Sequence, residues 1–332
     1  MWINLYSFVF DFFQCIYTCT VPVKMALVVS AGGNHSATVL GMMQELFAHD
    51  PRCDWKFLAG NSAGALVCCG VSTVSDNSKY LLMIKHMFDS MCTKKVTCEW
   101  SVLGSLINFV ESLFYHKSVY RTTLPDMVAL EFNNRILEGR SLHFGVYNQT
   151  KGRYETMEGY SPEVVAASCS IPGVFEPVLI NGDEYVDGGM GHIIPTPAVV
   201  EWCESAKLRN ESDRIDIMSC YPIVSFKEFR STEYLCSNMK LAGEALETFI
   251  CVLWNNLQND LDELSRYFDV DVRQTRMFKV GKISVRIFAP EIGIYSSFIK
   301  NDPRALKRMY RHGEEVVKQM FKTDVKKYRL TF

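Results

Sequence analysis

The chain has 332 residues, 48% hydrophobic and 12% aromatic, with a net charge of −2. That much apolar material builds a substantial core and excludes global disorder, and the mixing of acidic with basic residues excludes the clustered basic surface that nucleic acid requires. Twelve cysteines fall at irregular spacing with no C-x-x-C pair. This argues against a zinc ribbon, a thioredoxin-like motif or a secreted disulfide framework, and for buried free thiols in a reducing compartment.

Residues 1–24 read as an apolar N-terminal extension, with Asp11 its one acidic residue and no basic residue before Lys24. A secretory signal opens with positive charge and ends in small residues, and Asp11 interrupts any membrane span. A membrane-surface anchor and a dispensable extension are the two roles left for it. Met25 to Ser30 is a continuous apolar run, hence a buried strand. Gly32-Gly33-Asn34 is a loop, and Ala37 to Ala48 has helical spacing. Trp55 to Ala59 is a second strand, ending in Gly60-Asn61-Ser62-Ala63-Gly64, with a helix-forming stretch behind it. Residues 80–120 carry amphipathic helical stripes. Leu142–Tyr147 and Tyr154–Met157 pair as strands, and residues 161–170 form a helix started by Ser161-Pro162. Val178–Ile180 and Glu184–Val186 flank the turn Asn181-Gly182-Asp183 as a hairpin. Strands at 216–220 and 285–289 and helices at 238–267 and 303–322 complete the chain. Strand–helix alternation of this kind predicts one α/β domain over residues 25–332 with a largely parallel sheet.

The stretch Gly60-x-Ser62-x-Gly64 is a G-x-S-x-G signature in the context that gives it chemical meaning, a strand turning sharply into a helix. A nucleophilic serine there needs a base and an oxyanion site. Gly32 and Gly33 sit between a strand end and a helix start, where backbone N–H groups and the helix dipole favour negative charge. A phosphate loop would need G-x-x-x-x-G-K-[ST], which is absent. For the base, Asp187 in Tyr-Val-Asp-Gly188-Gly189-Met-Gly lies at a strand end, where glycines let the backbone approach another loop. The order Ser62, Asp187, His312 also fits a Ser–Asp–His α/β-hydrolase. Only about two strands precede Ser62, however, too few for that fold, and His312 lies in a charged helical segment as a solvated or capping residue. A catalytically idle lipid- or protein-binding module is the remaining alternative.

Together these pieces resemble the patatin-like phospholipase family, which joins a glycine-rich oxyanion loop, a G-x-S-x-G serine and a D-G-[GA] aspartate. Gly32, Gly33, Ala37, Gly41 and Leu46 fall at the family's spacing. The run Ala166-Ala-Ser-Cys-Ser-Ile-Pro-Gly-Val-Phe-Glu-Pro-Val178 resembles its stretch before the aspartate, and Arg311-His312-Gly313 its closing helix. The resemblance covers roughly residues 25–322. It implies a three-layer α/β/α fold with a central, mostly parallel sheet, and a Ser62–Asp187 dyad without histidine. It places the oxyanion hole at Gly32, Gly33 and Asn34, and implies no metal or cofactor. The implied substrate is a phospholipid or related lipid acyl ester at a membrane surface. The implied location is cytoplasmic and peripheral on membranes, with room for a protein activator. The chain departs from the family loop at Ala31, His35 and Ser36, where glycine, a basic residue and glycine are usual. His35 either supplies charge when protonated or is structural.

Overall fold

In the computed structural model of the chain, the described residues are 24–51, 53–74, 77–93, 128–129, 131–132, 135–136, 139–172, 175–209, 212–230, 240–294 and 302–329. The apolar extension before Lys24, and the part of the expected 80–120 helical region that follows residue 93, lie outside them.

The continuous apolar run sets the centre of the sheet. In β1 (Met25–Val29), Ala26 through Val29 are fully buried, as a strand covered on both faces must be. β2 (Trp55–Asn61) and β7 (Arg214–Met218) flank it, and β3 (Ser141–Asn148) and β9 (Ile283–Phe288) lie outside those, all five parallel. β8 (Met277–Val280) ends one side, antiparallel to β9. At the other side, β4 (Arg153–Glu158) and β6 (Asp183–Asp187) pair antiparallel with β3, and β5 (Val178–Ile180) with β6. The expected strand pair around Asn148–Gly152 and the hairpin around Gly182 are both present. Some boundaries move. β2 continues beyond Ala59 because Gly60 and Asn61 still pair with Phe144 and Gly145. β7 and β9 begin about two residues earlier than their apolar runs, because Arg214 and Ser284 already belong to the ladder.

Helices cover the sheet on both sides. α1 (Ser36–His49) and α2 (Ala63–Ser72) follow β1 and β2, and α3 (Asn77–Thr93) and α8 (Pro303–Arg329) pack on α1. α5 (Thr196–Arg209) packs with α7 (Lys240–Phe268), while α4 (Pro162–Ser168) lies against β3 and β6, and the short α6 (Phe226–Arg230) touches α7. The architecture is a three-layer α/β/α with a mostly parallel centre. The α1–α8 crossing is unusually close. A Cβ on Gly41 would sit 1.9 Å from the Tyr310 oxygen, and one on Gly313 2.0 Å from the Thr38 oxygen, so each helix needs a glycine where the other passes. Beneath the strands, fully buried Asp216 accepts two bonds from Arg286 at 2.6 and 2.9 Å and one from the Trp55 indole at 2.7 Å, tying β7, β9 and β2 together. Among the described residues, no helix is long and apolar enough to cross a membrane.

One feature of register fixes where chemistry can occur. Along a single edge of β3, residues up to Gly145 pair with β2 and residues from Val146 onward pair with β6. β2 runs parallel to β3 and β6 antiparallel, so the two strands meet end to end. Asn61 opposes Gly145 and Asp187 opposes Val146. Positions 61 and 187 are therefore brought together by adjacent rungs of one ladder, although 126 residues separate them in the chain.

Candidate active site

Ser62 is the residue at which β2 turns into α2. Its backbone has φ 54° and ψ −127°, a region non-glycine residues rarely adopt and one that costs on the order of 1–3 kcal/mol. The turn closes only because its flanks lack side chains. A Cβ on Gly60 would lie 2.4 Å from the Gly64 oxygen, and one on Gly64 2.4 Å from the Val29 oxygen. The glycines of the motif are thus required by contact with helix and neighbouring strand, as the sequence implied.

The run Ala166–Ser170 holds both key residues by their backbones. The Ser62 N–H donates to Ser168 Oγ at 3.0 Å, the Cys169 thiol donates to the Ser62 carbonyl at 3.1 Å, and the Asp187 N–H donates to the Ser170 carbonyl at 2.9 Å. Sequence comparison singled out this run without giving it a role. Its role is to fix the serine elbow and the aspartate strand end against each other.

Asp187 is 5% exposed. Its Oδ1 accepts from the Gly189 N–H at 2.7 Å, while Oδ2 is buried with no hydrogen-bond partner. Burial pushes the carboxyl up to about 7, against the opposing pull of the Ser62 hydroxyl and the Gly189 N–H. Ser62 is thus close enough to influence the carboxyl without closing a hydrogen bond to Oδ2, an arrangement common in sites without bound substrate.

A cavity opens over these two residues. Ala31, Gly32, Gly33, Ser62, Asp187 and Gly189 form its polar floor, and Ile171, Pro172, Met190, Ile193, Tyr221, Phe249 and Leu253 its apolar walls. Gly32 ends the first strand's loop and Gly33 has φ 49°, leading into a 3-10 turn (Gly33–His35) that runs on into α1. Among the described residues, the N–H groups of Gly32 and Gly33 donate no hydrogen bond. Asn34 lies one position further along the turn, outside the cavity lining. His35 is 1% exposed, its Nδ1 3.3 Å from the Gly32 carbonyl and its ring 5.2 Å from that of Tyr221, so it packs beneath the loop rather than facing the cavity. His312 is also away from the cavity. It lies half-buried on α8, its Nε2 is buried with no hydrogen-bond partner among the described residues, and burial pushes its pKa down, so the ring is only partly solvated.

The sequence missed the support that α7 gives the loop after Asp187. Phe249, Leu253, Asn256, Asp260 and Glu263 follow one another at spacings of four and three, a single stripe along the helix. The first two line the cavity. Asn256 Nδ2 donates to the Gly189 and Met190 carbonyls at 3.1 and 2.9 Å. Buried Asp260 accepts from the Ile194 N–H at 2.8 Å and pairs with His192 Nδ1 at 2.6 Å, and Glu263 accepts from the Thr196 hydroxyl at 2.6 Å. Asn61, next to the serine, donates to the His192 carbonyl at 2.6 Å and accepts from the Tyr154 hydroxyl at 3.1 Å. Burial raises Asp260 to about 6, and the same carboxylate holds His192 above its ordinary range despite burial. His192, Asp260 and Glu263 bring ligand atoms within 4.8 Å of one another, but hydrogen bonds within the group and to the loop already engage them. The amphipathic period of α7 was legible; what its polar positions grip was not.

The patatin-like phospholipase family profile matches residues 27–200, just over half of the chain, and that span contains the glycine loop, the serine elbow and the aspartate. The chain belongs to the patatin-like phospholipase family. Comparison with curated proteins gives no significant match. Among solved structures, VipD from Legionella pneumophila aligns with a TM-score of 0.46 at 14% identity, over 92% of this chain and 68% of that one. The type III effector ExoU, known from Pseudomonas aeruginosa, aligns with a TM-score of 0.35 at 11% identity, over 92% of this chain and 53% of that one. The chain therefore spans about half the length of ExoU.

Proposed function

We propose that this family member is a lipid acyl hydrolase of phospholipase A type, working through a Ser62–Asp187 dyad and an acyl-enzyme. The observation that carries the reading is the buried, unpartnered Asp187 Oδ2 beside the strained serine, in a carboxyl whose pKa of about 7 suits a base at neutral pH. Asp187 takes the proton of the Ser62 hydroxyl as its oxygen attacks the ester carbonyl. The negative charge that develops is held by the Gly32 and Gly33 N–H groups, a contribution of about 3 kcal/mol per donor. The Ser62 N–H is not available for this task, because Ser168 engages it. Collapse of the tetrahedral intermediate expels the alcohol, which takes the proton back from Asp187. Water, deprotonated by the same carboxylate, then releases the fatty acid. The apolar walls favour an acyl chain, so we read the substrate as a phospholipid or related lipid ester met at a membrane surface.

The test is fatty-acid release from mixed phospholipid vesicles. Ser62→Ala is expected to lower the rate by at least 10³-fold, while His312→Ala leaves it within about twofold because that residue lies outside the cavity. Equal rates for the native chain and Ser62→Ala would overturn the dyad. Loss with both His312→Ala and Asp187→Asn would favour the triad. If the native chain is inactive, labelling of Ser62 by a fluorophosphonate separates a competent enzyme awaiting an activator from an idle module.

A further inference from the structure

We propose that His143, Glu158 and Glu201 form a binding site for a divalent cation of the zinc class, separate from the acyl-ester cavity. None of the three lines that cavity. His143 on β3 faces Glu158 on β4 as a directly opposed cross-strand pair, and Glu201 reaches the same point from α5. The ligand atoms of all three lie within 4.8 Å of one another.

The imidazole supplies the independent sign of a ligand. His143 is 3% exposed, and its Nε2 lies 2.7 Å from the Ser141 hydroxyl, which fixes the ring. Its other nitrogen, Nδ1, is buried with no hydrogen-bond partner, 4.0 Å from Glu158 Oε1 and too far to bond it. A buried, unpartnered ring nitrogen and two carboxylates thus converge on one point. Among the described residues, neither glutamate has a Lys or Arg in ion-pair range.

The donor types narrow the ion. One imidazole and two carboxylates suit zinc and its borderline neighbours better than calcium or magnesium, which take oxygen alone. With a metal on Nδ1, Nε2–H would donate to the Ser141 hydroxyl 2.7 Å away, the kind of outer partner that metal-bound histidines ordinarily have. Donors around zinc lie about 2.0–2.2 Å from the ion. The glutamates, whose residues are exposed, must swing inward by roughly an ångström to reach that distance, while the buried ring stays fixed. Three protein ligands leave one position for water. A bound ion would pin α5, which directly follows the Asp187 loop, to the β3–β4 hairpin.

The experiment uses the full chain stripped of metal with a chelator, then titrated with Zn²⁺ and separately with Co²⁺. One equivalent should bind at micromolar concentration, with visible cobalt bands but no thiolate charge-transfer band. Saturating zinc should raise the thermal midpoint by about 3 °C. Glu201→Gln, an exposed change that leaves the core intact, should weaken binding at least tenfold and remove most of the thermal shift, and His143→Ala should abolish both. The proposal is overturned if Glu201→Gln titrates like the native chain, if the cobalt spectrum carries thiolate bands, showing the cysteines hold the ion, or if no binding occurs below millimolar metal. No readout depends on esterase activity, so the outcome is separable from that of the dyad.

Discussion

Replacing Asp187 by Asn tests the proposed base through stability as well as rate. The change keeps shape and keeps an oxygen to accept from the Gly189 N–H at 2.7 Å, but removes the buried charge. Burial shifts the carboxyl from 3.8 to about 7, roughly three units at 1.36 kcal/mol each, or about 4 kcal/mol. The folded pKa is raised, so the folded state holds its proton more tightly than the unfolded chain. The stability this contributes is complete below the unfolded pKa and is lost as pH rises from about 4 through 7. Native protein should therefore weaken over that window by up to about 4 kcal/mol relative to Asp187→Asn, with the difference level above pH 8. Urea unfolding of both proteins at half-unit pH steps measures this. In parallel, kcat/KM of the native enzyme should fall on the acid side with a midpoint near 7, as the base is protonated, and Asp187→Asn should be inactive at every pH. A stability difference that does not change between pH 4 and 8, or an acid limb with a midpoint near 4, would refute the claim that burial tunes this carboxylate.

Two further perturbations probe the support and the frame. Asn256→Ala removes both bonds to the Gly189 and Met190 carbonyls, so unfolding free energy should drop by about 1–3 kcal/mol and kcat by about tenfold with KM little changed, as chemical denaturation and vesicle kinetics would read. Gly313→Ala drives a methyl to within 2.0 Å of the Thr38 oxygen, and should lower stability by about 1–3 kcal/mol or more by forcing α8 away from α1; an unchanged thermal midpoint would contradict the close crossing.

What the sequence made legible was whatever is local. The apolar run of β1, the glycines that fit the Ser62 turn, the Ser161 cap of α4 and the Gly182 hairpin all depend on neighbours within a few residues. Ser62 and Asp187 were legible because each sits in a short motif whose glycines have a steric purpose. Their meeting was not legible, since it depends on β2 and β6 sharing one edge of β3, a matter of long-range register. The same holds for Ser168 and Ser170, which look like small helix-end residues until their partners, 106 and 17 positions away, are seen. Asn256, Asp260 and His192 carry no motif at all. Their types are those of any polar helix face or loop, and only the approach of α7 to the loop after Asp187 gives them work.

That topology also bears on why a histidine is dispensable in the proposed mechanism. An imidazole serves as a base because its pKa lies near neutrality without any help. A carboxylate reaches the same value only if its surroundings strip water from it while leaving one oxygen unengaged. The end-to-end meeting of β2 and β6 does both. Asp187 is enclosed by the strand ends, and its Oδ1 is bound by the Gly189 N–H, so Oδ2 alone is left beside the serine. Rigidity is the condition for this. If the loop after Asp187 opened to water, the pKa would fall toward 3.8 and the carboxylate would become a weak base. Asn256 and Asp260 on α7 hold that loop shut. On this argument α7 governs basicity as well as geometry, and Asn256→Ala should move the acid limb of kcat/KM below 7 along with lowering kcat. A kcat loss with the limb unmoved would confine α7 to positioning.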